Sequence, residues 1–156
     1  MSRSLARVTA ALQAAGVATD IREMPGETRT ANQAAAEAGC APDQIVKSIL
    51  FLGEASQRLH LFLTAGGQQV CPTRAATLAG EPLAKADAAV IRAHSGFAIG
   101  GVAPLGHLTE FPCYMDRHLL SFAQVWAAAG TPRHIFAIAP DVLLRVTGAK
   151  VADFTQ

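Results

Sequence analysis

Residues 44–52 constrain this chain more than any other stretch. Ile45, Lys47, Ile49 and Phe51 alternate with Val46, Ser48, Leu50 and Leu52, so a strand here is largely apolar on both faces. Such a strand belongs inside a sheet that is covered on both sides. Lys47 then falls in the middle of an apolar row. An ammonium is costly there unless something pairs with it. An edge position, from which the long stem lets the charge reach water, is the bland reading. Flanked by Ile45 and Ile49, the residue reads instead as a charge kept for a ligand.

A second stretch, Gly100-Gly101-Val102-Ala103-Pro104-Leu105-Gly106, suits neither a helix interior nor a central strand. Glycine admits positive φ and close approach of a ligand, and proline fixes the exit angle. The stretch reads as a rigid loop whose bare peptide groups face a small polar ligand, or as a tight connection between strands at 97–99 and 111–115.

Around these two features the chain alternates irregularly between helix and strand. Helices are expected at 4–15 with Ser4 as cap, at 30–39 with Thr30 and Gln33 as a capping box, at 72–79, at 85–94 and at 141–147. Strands are expected at 17–23, at 59–64 as the antiparallel partner of 44–52, at 135–139 and at 151–154, with a helical turn at 117–122. The alanines of 125–129 leave helix or strand open there. Strict β-α alternation is missing, and the hairpin argues for a mixed sheet in an α/β (α+β) fold.

At 156 residues the chain is expected to be one domain, 1–156, long enough to bury a core. A net charge of +1 provides no general attraction to nucleic acid or membrane, so any nucleic-acid contact should be local. Cys40, Cys71 and Cys113 are widely spaced and odd in number, which argues against a disulfide framework and for reduced thiols in a cytoplasmic protein. No apolar run nears the roughly 18 residues of a membrane span, and the N-terminus lacks the apolar core of a signal peptide.

The usual catalytic arrangements are poorly supported. Ser95 beside His94 lacks the nucleophile elbow, and the cysteines read as small buried hydrophobes. His60, His94, His107, His118 and His134 show no metal-binding spacing, and no phosphate-binding or dinucleotide motif occurs, so neither metal nor cofactor is expected. What remains is Lys47 and the glycine loop. Charge and peptide dipoles together suit an anion or an ester. Such a site hydrolyses an activated bond by positioning water and stabilising the developing oxyanion.

Pro42-Asp43-Gln44-Ile45-Val46-Lys47-Ser48-Ile49, the loop at 100–106 and Tyr114-Met115-Asp116 resemble the YbaK/EbsC family, related to the editing insertion domain of prolyl-tRNA synthetase. The resemblance covers nearly the whole chain. It implies a mixed, strongly curved sheet surrounded by helices, and trans-acting hydrolysis of the ester of a mischarged tRNA. It places Lys47 at the terminal adenosine and its phosphate region, and Gly100, Gly101, Val102, Ala103 and Pro104 at the aminoacyl end, with Lys47 and Gly100 carrying the chemistry. Water attacks without a protein nucleophile, helped by loop backbone groups and the substrate's ribose hydroxyl; in a thiol-editing branch the substrate's sulfur attacks instead. The implied partners are the acceptor end of mischarged tRNA and prolyl-tRNA synthetase. Arg74, Lys85, Arg117 and Arg133 are the cations available to grip it. Alanine-editing members carry asparagine after the motif lysine, where this chain has Ser48, a departure from strict alanine specificity. His134 falls where relatives place a pocket residue, and Thr30 is a cap that also reaches the substrate. Two other readings stay open: a non-catalytic module for tRNA ends or nucleotides, and a small-molecule ester or thioester hydrolase.

Overall fold

The two-sided strand is the middle of the sheet. The computed structural model describes residues 2–27 and 30–156. Its strands are β1 (Ile21–Glu23), β2 (Ile45–Gly53), β3 (Leu59–Ala65), β4 (Leu83–Lys85), β5 (Cys113–Asp116), β6 (Val125–Ala128), β7 (His134–Ile138) and β8 (Lys150–Ala152). They form one mixed sheet in the order β1-β7-β6-β2-β3-β5-β8, with β4 beside β2. Helices α1 (Arg3–Ala14), α2 (Ala31–Ala38), α3 (Pro72–Ala79), α4 (Ala88–Ser95) and α5 (Pro140–Thr147) pack around it. None of these helices is long and apolar enough to cross a membrane.

β2 and β3 pair antiparallel from Val46↔Ala65 to Leu52↔Leu59. On one face Val46 and Leu50 join Leu59, Leu61 and Leu63 in the main core, closed by Leu5, Val8 and Leu12 of α1 and Leu143 of α5. On the other face Ile49 and Phe51 pack on a smaller cluster of Phe62, Tyr114 and Phe154. A third cluster, Ala34 and Ala35 of α2 with Ile45, lies four residues before Ile49 on the strand. Lys47 falls between these two covers. That is how a strand buried on both faces tolerates an ammonium.

Several boundaries differ from the sequence-based expectations for local reasons. Ser2, not Ser4, caps α1, its side chain accepting from Leu5 N–H at 3.1 Å. The first strand begins at Ile21 rather than 17. The helix expected at 85–94 is split: Lys85 ends β4, and Asp87 caps α4 by accepting from Val90 N–H at 2.9 Å. Residues 97–99 form no strand, because Phe97 N–H donates to Ser95 Oγ and Gly101 N–H turns back to the Ala98 carbonyl. The strand expected at 111–115 is Cys113–Asp116, that at 151–154 is Lys150–Ala152, and 125–129 resolves as a strand.

The hairpin joining β2 to β3 is clasped by Glu81. Its carboxylate accepts from the Ser56 hydroxyl (2.6 Å), the backbone N–H groups of Ser56 and Ala55, and lies 2.9 Å from His60 Nε2. These bonds, led by the Ser56 hydroxyl, hold Glu81 at about 2 against an ordinary 4.5. Because the folded pKa is depressed, the stabilisation is complete above about 4.5 and is lost as pH falls towards about 2. Glu81→Gln is therefore expected to lower the thermal midpoint at neutral pH, with the gap to wild type closing over that acid window in melts at stepped pH.

Candidate active site

β2 pairs with β6 only at Ile45 and Val46, and with β4 only from Phe51 onward. Both neighbours lie on the edge away from β3, so residues 47–50 have no partner strand there. A cavity of about 700 Å³ opens at this interval. Lys47, Ser48, Gly100, Val102, His134 and Thr30 all line it. Residues from four separate regions of the sequence are thus brought together.

Lys47 is half-buried, and its Nζ donates to the Gln68 carbonyl at 2.5 Å. Burial draws its pKa down, while the carboxylates of Asp43 and Asp116 work in the opposite direction. Both carboxylates also hold the turn after β3. Asp43 accepts from Gly67 N–H (2.7 Å), the Gln68 amide (3.3 Å) and His118 Nε2 (2.9 Å). Buried Asp116 accepts from the N–H groups of Ala65 (3.1 Å) and His118 (3.0 Å). Burial opposes ionisation of Asp43, but the bonds from Gly67, Gln68 and His118 outweigh it and its pKa is lowered. An ammonium that makes one carbonyl bond beside two structural carboxylates keeps donor capacity for a ligand.

The glycine loop presents only part of itself to this cavity. Gly100 is exposed with φ +93°, a conformation that favours glycine. Neither Gly100 nor Val102 donates its N–H to a protein acceptor among the described residues. Gly101, Ala103 and Pro104, expected at the ligand, do not line the cavity. Gly101 is pressed on the backbone of Thr131, where a Cβ would sit 2.8 Å from Cα. Ala103 is fully buried in the main core. Pro104 faces a second cavity of about 400 Å³, lined also by His107 and Phe111.

His134 lines the cavity from the turn that packs against the glycine loop, its Nδ1 2.6 Å from Thr131 Oγ1. Thr30 caps α2 in a capping box, its Oγ1 accepting from Gln33 N–H at 3.1 Å, and lines the cavity as well. Ser48 Oγ is buried without a hydrogen-bond partner among the described residues. Among the four cations considered for gripping RNA, Lys85 lines the cavity and is exposed. Arg74 donates to the Thr155 carbonyl, Arg117 pairs with Asp153, and Arg133 is exposed outside the cavity lining. Cys113 is a poor nucleophile, its thiol pushed up to about 12 by burial.

Sequence reasoning missed Asp43, Gln68 and Trp126 as site residues. Asp43 read as part of a turn, which it is; its bond to Gln68 spans 25 positions and leaves no local signal. Trp126 lines the cavity under the Arg22 guanidinium, 4.8 Å from the ring centroid, in a segment whose alanines hide its period.

The aminoacyl-tRNA editing domain family matches residues 25–146. A crystal structure described as a candidate trans-editing enzyme for prolyl tRNA synthetase is 44% identical, with a TM-score of 0.93, covering 100% of this chain and 99% of that one. A structure from work on epitope backbone grafting onto scaffold proteins is 43% identical, with a TM-score of 0.94 and the same coverage. The uncharacterized protein YwhH of Bacillus subtilis (strain 168) is 27% identical over 132 residues, 85% of this chain and 83% of its own length. With that match spanning most of the chain, and with the mixed sheet shared with these structures, the protein belongs to the aminoacyl-tRNA editing domain family and is a YbaK-like editing protein.

Proposed function

We propose that the protein, acting as a single domain over residues 1–156 in the cytoplasm, removes the wrong amino acid from mischarged tRNA by hydrolysing the aminoacyl ester. The substrate is tRNA for proline carrying alanine, cysteine or another small amino acid. The observation that carries this reading is the meeting of Lys47 with Gly100 and Val102 around one cavity. Lys47 holds the terminal adenosine through its phosphate region, and Gly100 and Val102 offer N–H groups to the carbonyl oxygen as it gains charge. Water oxygen bonds to the carbonyl carbon, the ester C–O bond breaks, and the departing ribose oxygen takes a proton from the water. No protein nucleophile takes part. His134 bounds the space for the side chain, Ser48 and Thr30 contact the substrate, and the remainder of the loop, Gly101, Ala103 and Pro104, supports that wall from behind.

The test is release of amino acid from tRNA charged in turn with alanine, cysteine, serine, threonine and 2-aminobutyrate, without any synthetase. Release from the small mischarged species supports the reading. Tight binding with no release points to a non-catalytic tRNA-end module. Hydrolysis of small esters or thioesters with tRNA left intact points to a hydrolase of another class. Among the described residues one lysine besides Lys47 lines the cavity, so phosphate contacts are expected to be few and raising salt from low to physiological strength to weaken tRNA binding modestly. A flat response in a filter-binding titration contradicts phosphate contact.

A further inference from the structure

Strand parity shows which backbone groups face the gap in the sheet. Gly53 N–H turns to β3, donating to the Arg58 carbonyl, whereas Glu54 N–H turns the other way, to the Pro82 carbonyl. Along β2 the odd residues therefore bond β3, and the even residues point N–H and C=O to the opposite edge. Val46 is covered there by β6 and Leu52 by β4. Ser48 is not: among the described residues, no protein group pairs with its N–H or C=O on that side, whereas the Phe51↔Lys85 register sets Ala86 N–H opposite the Leu50 C=O and leaves Leu50 with its N–H alone. Ser48 and Leu50 line the cavity, and the buried Ser48 Oγ is unpartnered among the described residues too. An unpaired strand edge elsewhere invites another strand. Here the gap is only four residues long, from 47 to 50, and lies in a cavity.

We infer that this interrupted edge is a recognition site for the terminal adenine base of the tRNA; the inference rests on the editing function proposed above and assigns the base its partners. Ser48 presents a donor and an acceptor side by side in one plane. An α-ammonium carries donors only and leaves the N–H groups unmatched. Adenine offers an adjacent acceptor and donor, N1 and the N6 amino group, so N1 accepts from a strand N–H while N6 donates to the C=O of the same residue. Charge agrees with this occupant. Lys47 opens the gap and Lys85, the register partner of Phe51, stands just past its far end, so cations bracket the base along β2. Among the described residues no carboxylate lines the cavity. Ile99, a large apolar side chain left 60% exposed, also lines it and supplies apolar cover for a ring.

The backbone cannot be mutated cleanly, so the ligand is changed instead. Adenosine 5′-monophosphate and inosine 5′-monophosphate are titrated into the ¹⁵N-labelled protein. Inosine reverses the pattern, setting O6 against the strand C=O and N1–H against the N–H. The expected result is a shift of the Ser48 or Leu50 amide with the adenine nucleotide, and binding weaker on the order of tenfold with the hypoxanthine one. Equal affinities, no binding of the adenine nucleotide, or shifts confined to other amides overturn the assignment. Deacylation of alanyl-tRNA ending in adenosine or in inosine is measured in parallel. Deacylation that is indifferent to the terminal base overturns the base site and leaves editing standing. Nucleotide discrimination with no deacylation of either tRNA overturns editing and leaves the base site standing.

Discussion

Lys47→Ala is expected to lower single-turnover deacylation by roughly 10²-fold or more, the scale of losing a preorganised charge at a reacting centre, while the fold remains intact. Both halves follow from the same geometry. Among the described residues the side chain makes one hydrogen bond, to the Gln68 carbonyl, and the carboxylates beside it are held independently by Gly67, Gln68, Ala65 and His118 N–H groups. The turn after β3 therefore does not need the lysine. Burial already works against the charged form of Lys47, so its removal also relieves a desolvation cost. Thermal midpoint and circular dichroism should match wild type within a few degrees. A variant that deacylates at the wild-type rate refutes the role, and one that fails to fold refutes the claim that the lysine is spared from structure.

The second large effect is expected at a residue that never touches the substrate. Gly101→Ala sets a methyl group 2.8–3.1 Å from the Cα, C and N of Thr131, all backbone atoms that have no rotamer to escape by. The loop must lift off the 130–134 turn or that turn must move, and overpacking of this kind costs about 1–3 kcal/mol. Because Gly100 and Val102 hang from the same loop and His134 from the same turn, the displacement reaches the cavity lining from both segments at once. Deacylation is expected to fall by on the order of tenfold or more, since small misplacements of reacting groups are expensive. Gly26→Ala is the matched control: a Cβ there meets nothing within 4 Å, and neither stability nor activity should change. Equal behaviour of the two variants in melts and rate assays contradicts the packing argument.

What was legible in the sequence follows the range of the interaction concerned. The alternation at 44–52 placed β2 correctly in the middle of the sheet and marked Lys47 as an anomaly, because the pleat makes side-chain facing a local property. Thr30 and Gln33 announced their capping box for the same reason. The glycine loop was legible as a non-helical, non-strand segment, but which of its residues reach the cavity was not. That choice depends on Thr131 lying beneath Gly101 and on the core taking up Ala103, contacts made across some thirty residues or through the whole main cluster. Lys85 was read into a helix because the 85–94 pattern is apolar enough for either element; pairing with Phe51 pulled it into β4 instead. The gap between β6 and β4 had no signature in the chain at all. It exists because two strands distant in sequence dock on one edge of β2 without meeting.

The most direct measurement is the rate at which this protein, in excess and without a synthetase, frees alanine or cysteine from tRNA for proline. Release far above the spontaneous rate is expected, with correctly charged prolyl-tRNA left intact. Release at the spontaneous rate for every small amino acid, from a protein that is folded and binds the tRNA, contradicts the editing function.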